Sequence, residues 1–264
     1  MQLNEEMTKD AFLGGKIHLY QPRNGYRAGI DPVFLSAAIV PQENDKILDL
    51  GCGVGSAGLL LLKRFQTLCS IHVTGFEKDT FLCALARKNA TLNGLQDLFS
   101  VVCGDLKDPP PEIFHQSFNQ IITNPPYFEG EMISPNHRKA HANHALSASF
   151  EVWIDFCIKR LKPFGCLTMI IPPQKLPEVL KISEGRLGGF LIYPLWPRDG
   201  IPAKRILFQG TKDRKTPLQL LKGLVLHAGG RDFTPEAHGI LWEGNRLVWK
   251  KEAKNKTRCD ERET

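Results

Sequence analysis

Lys46-Ile47-Leu48-Asp49-Leu50-Gly51-Cys52-Gly53-Val54-Gly55 is the stretch whose reading decides the fold. Its first half is a short apolar run broken by one acid, the composition of a buried strand. Its second half places glycine at every other position. The chain then continues as Ser56–Phe65, a leucine-rich segment with helical character and Ser56 as its expected N-cap. Strand, glycine turn and helix in that order open a unit of parallel sheet.

Working outward, the same alternation repeats. Ile71–Phe76, Phe99–Cys103, Gln120–Thr123 and Cys166–Ile171 read as strands. Thr80–Leu92 reads as a helix stopped by Asn93-Gly94, and Phe150–Leu161 as a helix with Lys159, Arg160 and Lys162 at its cation-favouring end. Phe190–Leu195 and Arg205–Gln209 complete a mostly parallel, seven-stranded sheet with helices on both faces, an α/β, Rossmann-like fold. Residues 46–211 form this core within a single domain spanning 1–249. Residues 1–45 form an N-terminal extension or lid, and 212–249 a C-terminal extension with a weaker pattern. Residues 250–264 are a polar, basic tail expected to be disordered.

Composition bounds the function without naming it. The 264 residues are 42% hydrophobic and 23% charged, values ordinary for a globular protein. The polar start, Met1 to Asp10, resembles neither a signal nor a transit peptide, and the apolar runs are too short to cross a bilayer, which points to a cytoplasmic protein without a membrane partner. Seven scattered cysteines form no CxxC pair and read as reduced thiols. The net charge of +6 permits a polyanionic partner such as RNA but does not require one. The sequence sets no oligomeric state.

In an open α/β sheet, ligands gather at the carboxyl ends of the strands. Gly51, Gly53 and Gly55 let backbone approach a ligand where a Cβ would collide. Asp49, two residues before the first glycine, can reach a cofactor's amino-acid portion or the loop backbone. Glu77 closes the second strand, where a carboxylate can accept from both hydroxyls of a ribose. Asp105 follows the third strand, where it can accept from an adenine amino group. The loop alone is ambiguous, because Gly53-Val54-Gly55-Ser56-Ala57-Gly58 also matches the dinucleotide pattern of nicotinamide enzymes.

Asn124-Pro125-Pro126-Tyr127, directly after the fourth strand, removes much of that ambiguity. An exocyclic aryl amine is a weak nucleophile because its lone pair is delocalised into the ring. The Asn124 side-chain oxygen and the Pro125 carbonyl can accept its two N–H bonds and turn the lone pair outward. Prolines 125 and 126 stiffen the loop, and Pro brings no competing N–H. Tyr127 can stack on a base, a contact worth about 1–3 kcal/mol. Asn accepts without adding charge. Such a site suits displacement at the methyl carbon of S-adenosylmethionine, with Asn124 also beside the cofactor.

The chain resembles the class I methyltransferases that carry an NPPY signature, and more narrowly the bacterial tRNA1(Val) adenine-N6 methyltransferases, which modify the adenosine 3′ of the anticodon. The resemblance spans about Gly25 to Gln209. It rests on Gly25-Tyr26-Arg27 with Asp31, on Asp49 to Gly55, on Glu77, on Gly104-Asp105 and on Asn124 to Tyr127. It implies S-adenosylmethionine as cofactor, held by the glycine loop, Glu77 and Asp105, catalysis by Asn124 with Tyr127, and a tRNA substrate. NPPY also occurs in enzymes that methylate guanine N2 of rRNA or a protein glutamine, so these amino groups, and those of DNA adenine or cytosine, are the alternative substrates.

Smaller signals complete the reading. Tyr26, Arg27 and Asp31 are candidates for a lid over the cofactor, while Asp31-Pro32 equally reads as a plain helix start with Asp31 as N-cap. His137, His141 and His144 share helical spacing but lack a thiolate or carboxylate companion, so with Arg138 and Lys139 they read as a substrate loop and no metal is expected. Arg198, Lys204 and Arg205, the cluster Lys212, Arg214 and Lys215, and the tail lysines Lys250, Lys251, Lys254 and Lys256 are candidate phosphate contacts or solvated surface.

Overall fold

The computed structural model describes residues 7–25, 27–126, 149–230 and 232–249. The described chain opens with an antiparallel hairpin, β1 (Met7–Phe12) and β2 (Ile17–Pro22), followed by α1 (Asp31–Ala37). The core then runs β3 (Lys46–Leu50), α2 (Ser56–Phe65), β4 (His72–Glu77), α3 (Thr80–Leu92), β5 (Phe99–Cys103), a short α4 (Pro111–Phe114) and β6 (Phe118–Thr123). After it come α5 (Phe150–Arg160), β7 (Leu161–Ile171), α6 (Leu176–Ser183), β8 (Leu187–Trp196) and β9 (Arg205–Lys212). Four short strands follow, β10 (Gln219–Leu220), β11 (Leu224–Val225), β12 (His227–Gly229) and β13 (Asp232–Phe233), and then α7 (Pro235–His238), which runs into a π-helical turn over Gly239–Glu243.

The main sheet has the order β10-β8-β9-β7-β6-β3-β4-β5, with β11 also paired to β8. Every pair from β7 across to β5 is parallel, and β9 runs against both of its neighbours. The seven strands read from the sequence are all present. The two-residue strands β10 and β11 extend the β8 edge, so the sheet counts nine.

The central strands are apolar on both faces because helices cover both. Ile47 and Ile122 point into one core with α1, α2 and α3. Leu48 and Ile121 point into a second core with residues of α4, α5 and α6. Each such fully buried aliphatic side chain contributes about 1.5–3 kcal/mol, which explains why β3 tolerates just one buried polar residue, Asp49, with Lys46 exposed at its start.

Two cap expectations need correction. Gly55, at φ +82°, is the N-cap of α2, and Ser56 is already its first helical residue. Ile30 caps α1, so Asp31 and Pro32 both lie inside the helix. Ile30 is already right-handed helical in its backbone, at φ −80° and ψ −22°, whereas at α2 the left-handed Gly55 makes the turn and leaves Ser56 to begin the helix.

The N-terminal extension is held by two asparagines one turn apart on α3. Asn89 accepts from the Tyr20 N–H at 2.7 Å and donates to the Tyr20 carbonyl at 3.0 Å. Asn93 does the same with His18, at 2.9 and 2.7 Å. A side-chain amide carries one donor and one acceptor in the spacing of a peptide group, so the pair imitates a neighbouring strand along β2. Asn89 is fully buried and donates a further bond to the Val54 carbonyl at 3.0 Å, joining the hairpin to the glycine turn.

The C-terminal segment returns to the same face. Arg64, in the last turn of α2, donates to the carbonyls of Asn245 (2.7 Å) and Ile240 (2.9 Å). Leu247 N–H and Trp249 Nε1 satisfy the carbonyls of Ala37 and Ala38 at the end of α1, at 2.8 and 2.6 Å. These carbonyls have no partner within their own helix.

Asn89→Ala is expected to destabilise the protein by about 3 kcal/mol, because it strands several buried backbone groups. Asn93→Ala, at a partly exposed position, should lose roughly half as much. Urea unfolding monitored by circular dichroism reads both. Equal, sub-kilocalorie losses would rule out the strand-mimic role.

Candidate active site

The β3–α2 turn carries three residues in the left-handed region: Gly51 at φ +69°, Gly53 at +55° and Gly55 at +82°. The turn is stitched to β4. Gly51 and Cys52 N–H both donate to the Phe76 carbonyl, at 2.8 and 3.2 Å, and Gly53 N–H donates to Glu77 Oε2 at 2.9 Å. A Cβ on Gly51 would lie 2.7 Å from the Trp153 ring, whereas one on Gly53 would meet nothing within 4 Å. The turn is therefore packed on its Gly51 side and open at Gly53. That opening leaves bare backbone available to a ligand.

Asp49 acts on the backbone. Its Oδ2 accepts from the Gly58 N–H at 2.9 Å, in the first turn of α2, supplying the cap that Gly55 lacks. The carboxyl is 2% exposed, out of a ligand's reach. Burial above all pushes its pKa up to about 7; the nearby Glu77 adds to the rise and the Gly58 bond opposes it. A Cβ on Gly58 would come within 2.6 Å of the Phe99 ring, so the third glycine of the dinucleotide-like pattern serves helix-on-sheet packing.

Glu77 sits at the carboxyl end of β4 as expected. Besides Gly53, its carboxylate accepts from Lys78 and Asp79 N–H at 2.8 and 2.9 Å through Oε1. Three backbone donors orient it rigidly at the mouth of the turn and leave part of its acceptor capacity open. Asp105 lies past β5 and is paired with Lys78 Nζ at 2.8 Å. The Lys107 N–H first, then Lys78, hold its carboxyl below the usual carboxylate range.

The register brings the two sequence signals side by side. Leu50 pairs with Thr123 on the adjacent strand, so Gly51 and Asn124 leave neighbouring strand ends at the same level. Thr123 Oγ1 donates to the Leu50 carbonyl at 2.8 Å and accepts from Trp153 Nε1 at 3.0 Å. Trp153, from α5, thus closes the gap between the glycine turn and the Asn124 strand end. Sequence reasoning passed over it, because an isolated tryptophan in a helix looks like any other core residue. Asn124, Pro125 and Pro126 are half-buried. Tyr26, Tyr127 and the stretch from His137 to His144 lie outside the described residues, as does the basic tail.

The remaining candidates are drawn elsewhere. The Arg27 guanidinium is bound inside the hairpin, to Asp10 Oδ2 at 2.6 Å and Thr8 Oγ1 at 2.7 Å. Asp31 pairs with Arg205 Nε at 2.9 Å, at the carboxyl edge of the sheet. Lys212 is no loose phosphate contact, since its Nζ donates to the Ile158 and Leu161 carbonyls at the end of α5. Among the described residues no His, Cys, Asp and Glu cluster could hold a metal, and no helix is long and apolar enough to cross a membrane. The six described cysteines are free thiols.

Comparison with known proteins follows this geometry. Residues 31–154 match the model of the methyltransferase small domain. A tRNA1(Val) (adenine(37)-N6)-methyltransferase of Porphyromonas gingivalis is 30% identical over 182 residues, 66% of this chain and 69% of that protein. The enzyme of the same name from Bacteroides fragilis is 26% identical over 78% of this chain and 85% of its own length. The chain belongs to this methyltransferase family. Among solved structures, a predicted O-methyltransferase of Agrobacterium tumefaciens superposes with a TM-score of 0.66 at 24% identity, covering 83% of this chain and 97% of that one. A 16S rRNA N2 G1207 methyltransferase of T. thermophilus superposes with a TM-score of 0.53 at 18% identity, covering 78% and 50%. Both share the fold.

The family is S-adenosylmethionine-dependent, and the turn fits that cofactor. The open Gly53 face offers bare backbone, and Glu77 stands oriented at its mouth.

Asp49 makes a prediction about pH. In the unfolded chain its carboxyl titrates near 3.8, in the folded chain near 7. Between those values the folded state holds a proton that the unfolded state has released. This group therefore makes stability fall as pH rises from about 4 to about 7, by up to roughly 4 kcal/mol, and adds no slope above that. Asp49→Asn keeps an acceptor for Gly58 but cannot ionise. Its melting temperature is expected to gain several degrees on the wild type between pH 5 and pH 8. Parallel profiles over that range would show that Asp49 does not titrate there.

Proposed function

We propose that the protein transfers a methyl group to the exocyclic N6 of adenine in tRNA, at the adenosine beside the anticodon named for its relatives. The observation that carries this reading is the side-by-side exit of Gly51 and Asn124 from paired strands, which sets an amine acceptor next to the cofactor turn. The names of the relatives supply the substrate class.

When bound, S-adenosylmethionine supplies an electrophilic methyl carbon on a sulfonium. The protein's own residues do the rest. The bare backbone at Gly51 to Gly55 would lie along the cofactor, with Glu77 accepting from its ribose hydroxyls and Asp105 at the adenine end. Asn124 Oδ1 and the Pro125 carbonyl would each accept one N–H of the target amine, turning its lone pair in line with the methyl carbon. Two prolines hold those acceptors in place before substrate arrives. Tyr127, next in sequence, would stack on the base. Positioning of this kind can supply roughly 7–11 kcal/mol of the barrier reduction. As the new N–C bond forms and the S–C bond breaks, the amine becomes cationic and releases its proton to water, so no strong base is needed. Trp153, bonded to Thr123 and packed on Gly51, would keep the two halves of the site from drifting apart.

Incubation with labelled S-adenosylmethionine and unmodified tRNA1(Val) transcript should yield N6-methyladenosine on nucleoside analysis. Label on guanine, on DNA or on protein, with none on tRNA adenine, overturns the reading. Asn124→Ala should lower kcat by about 100-fold or more, by analogy with the loss of one transition-state hydrogen bond, with an unchanged melting temperature. A rate within threefold of wild type removes Asn124 from the mechanism.

A further inference from the structure

A cavity of about 850 Å³ lies away from the glycine turn, between the β8–β9 loop and the C-terminal segment. Its wall is Trp196, the last residue of β8. The indole is fixed: Nε1 donates to the Lys222 carbonyl at 3.1 Å, and Leu226 N–H donates to the Trp196 carbonyl at 2.8 Å. Gly223, at φ +75°, packs so closely that a Cβ there would come within 2.6 Å of Nε1. With its N–H already engaged, the ring has only its face to offer a ligand. Two carboxylates, Asp199 and Glu236, share the cavity with it, alongside Ile201 and Val225.

This mixture selects by chemistry. A phosphate site would not carry two carboxylates, and an apolar ligand would answer neither Asp199 nor Glu236, whose ion pair with Lys222 Nζ, at 3.9 Å, is long and exposed. A flat ring with N–H donors on its edge satisfies all of it: the ring stacks on Trp196 and the edge donates to a carboxylate, as cytosine N4 does to Asp or Glu. Lys222 lines the cavity, and Arg198, which donates to the Gly230 carbonyl at 2.6 Å, and Lys204 flank its lining loop in sequence, a local positive charge that favours a polyanionic backbone.

The position fits as well. Thr123 is level with Met169, Met169 with Phe208, and Phe208 with Ile192, so Trp196 lies on the same carboxyl edge as Asn124. From β6 to β8 there are three strand spacings, about 14 Å, and Trp196 projects about 10 Å further along the strand direction. That span corresponds to a few nucleotides of an extended strand.

We propose that this cavity binds an unstacked nucleobase of the RNA substrate, a few nucleotides from the methylated adenosine. The inference rests on the proposed function, and its test separates the two. The measurement is the affinity of full-length protein for unmodified tRNA1(Val) transcript by filter binding at fixed salt. On a surface that merely attracts phosphate, neutralising two acids tightens binding. In a base pocket it removes charge-assisted acceptors. The double variant Asp199→Asn, Glu236→Gln, at exposed positions, should bind about fivefold more weakly. Trp196→Leu should lose roughly tenfold, with Trp196→Phe close to wild type. Because Trp196 is packed, the double variant decides alone where the leucine variant does not fold. Unchanged or tighter binding by the double variant, with adenosine methylation by the wild type intact, overturns the pocket and leaves the proposed function standing. A wild type that neither binds nor methylates tRNA overturns both.

Discussion

Between Leu50 and Ser56 the backbone must turn from strand to helix with Gly51, Gly53 and Gly55 all at positive φ, a conformation that side-chain-bearing residues resist. A turn of three such residues is loose by nature. It is made rigid by two carboxylates from adjacent strands: Asp49 fixes the first turn of α2 through Gly58, and Glu77 fixes the middle of the turn through Gly53. The Phe76 carbonyl holds its start. The placement of α2, the closeness of Phe99 to Gly55 and Gly58, and the open backbone at Gly53 all follow from this one arrangement. Burying Asp49 next to Glu77 raises its pKa and works against stability at neutral pH, so rigidity at the site is bought with folding free energy.

The neighbouring strand end inherits that rigidity. Thr123 bonds to the Leu50 carbonyl and to the Trp153 indole, and the indole lies against Gly51. Residues from β3, β6 and α5 therefore move as one unit, and Asn124 is attached to it directly. A methyl transfer that relies on positioning needs such a frame, since an ångström of drift between amine and methyl carbon would forfeit much of the effect.

The core was legible because its strands and helices obey local rules. β3, β5, α2 and α3 fall where apolar runs, glycine turns and the Asn93-Gly94 stop place them. The NPPY tetrapeptide stands out in the sequence, and the pairing of Leu50 with Thr123 brings its Asn124 level with Gly51. The N-terminal hairpin was not legible, because Met7–Phe12 shows little apolar alternation in sequence, Ile17–Pro22 alternates over only four residues, and β2 pairs partly with side chains: Asn89 and Asn93 replace a strand that the sheet does not supply. Asp49 could be placed near the loop but not assigned a partner, since reaching a ligand and reaching Gly58 look alike in one dimension. Trp153 and Arg64 escaped notice, and Lys212 was read as a phosphate contact or solvated surface, for a related reason. Each bonds to backbone carbonyls or a hydroxyl distant in sequence, and no residue-type pattern marks those acceptors.

The extensions also account for the shape of the working edge. The C-terminal segment satisfies the end of α1 through Leu247 and Trp249 and is clamped by Arg64, so it is anchored on the flank of the sheet rather than across the strand ends. From there β11 pairs in parallel with the end of β8, and Thr234 caps α7 beside it. The edge is thereby lengthened beyond the last long strand. Asp31 and Arg205 tie α1 to the start of β9 between the two regions. One continuous rim results, with the cofactor turn and Asn124 near its middle and the Trp196 cavity at its far end. A polynucleotide substrate of the kind proposed would have the whole of this rim to lie along.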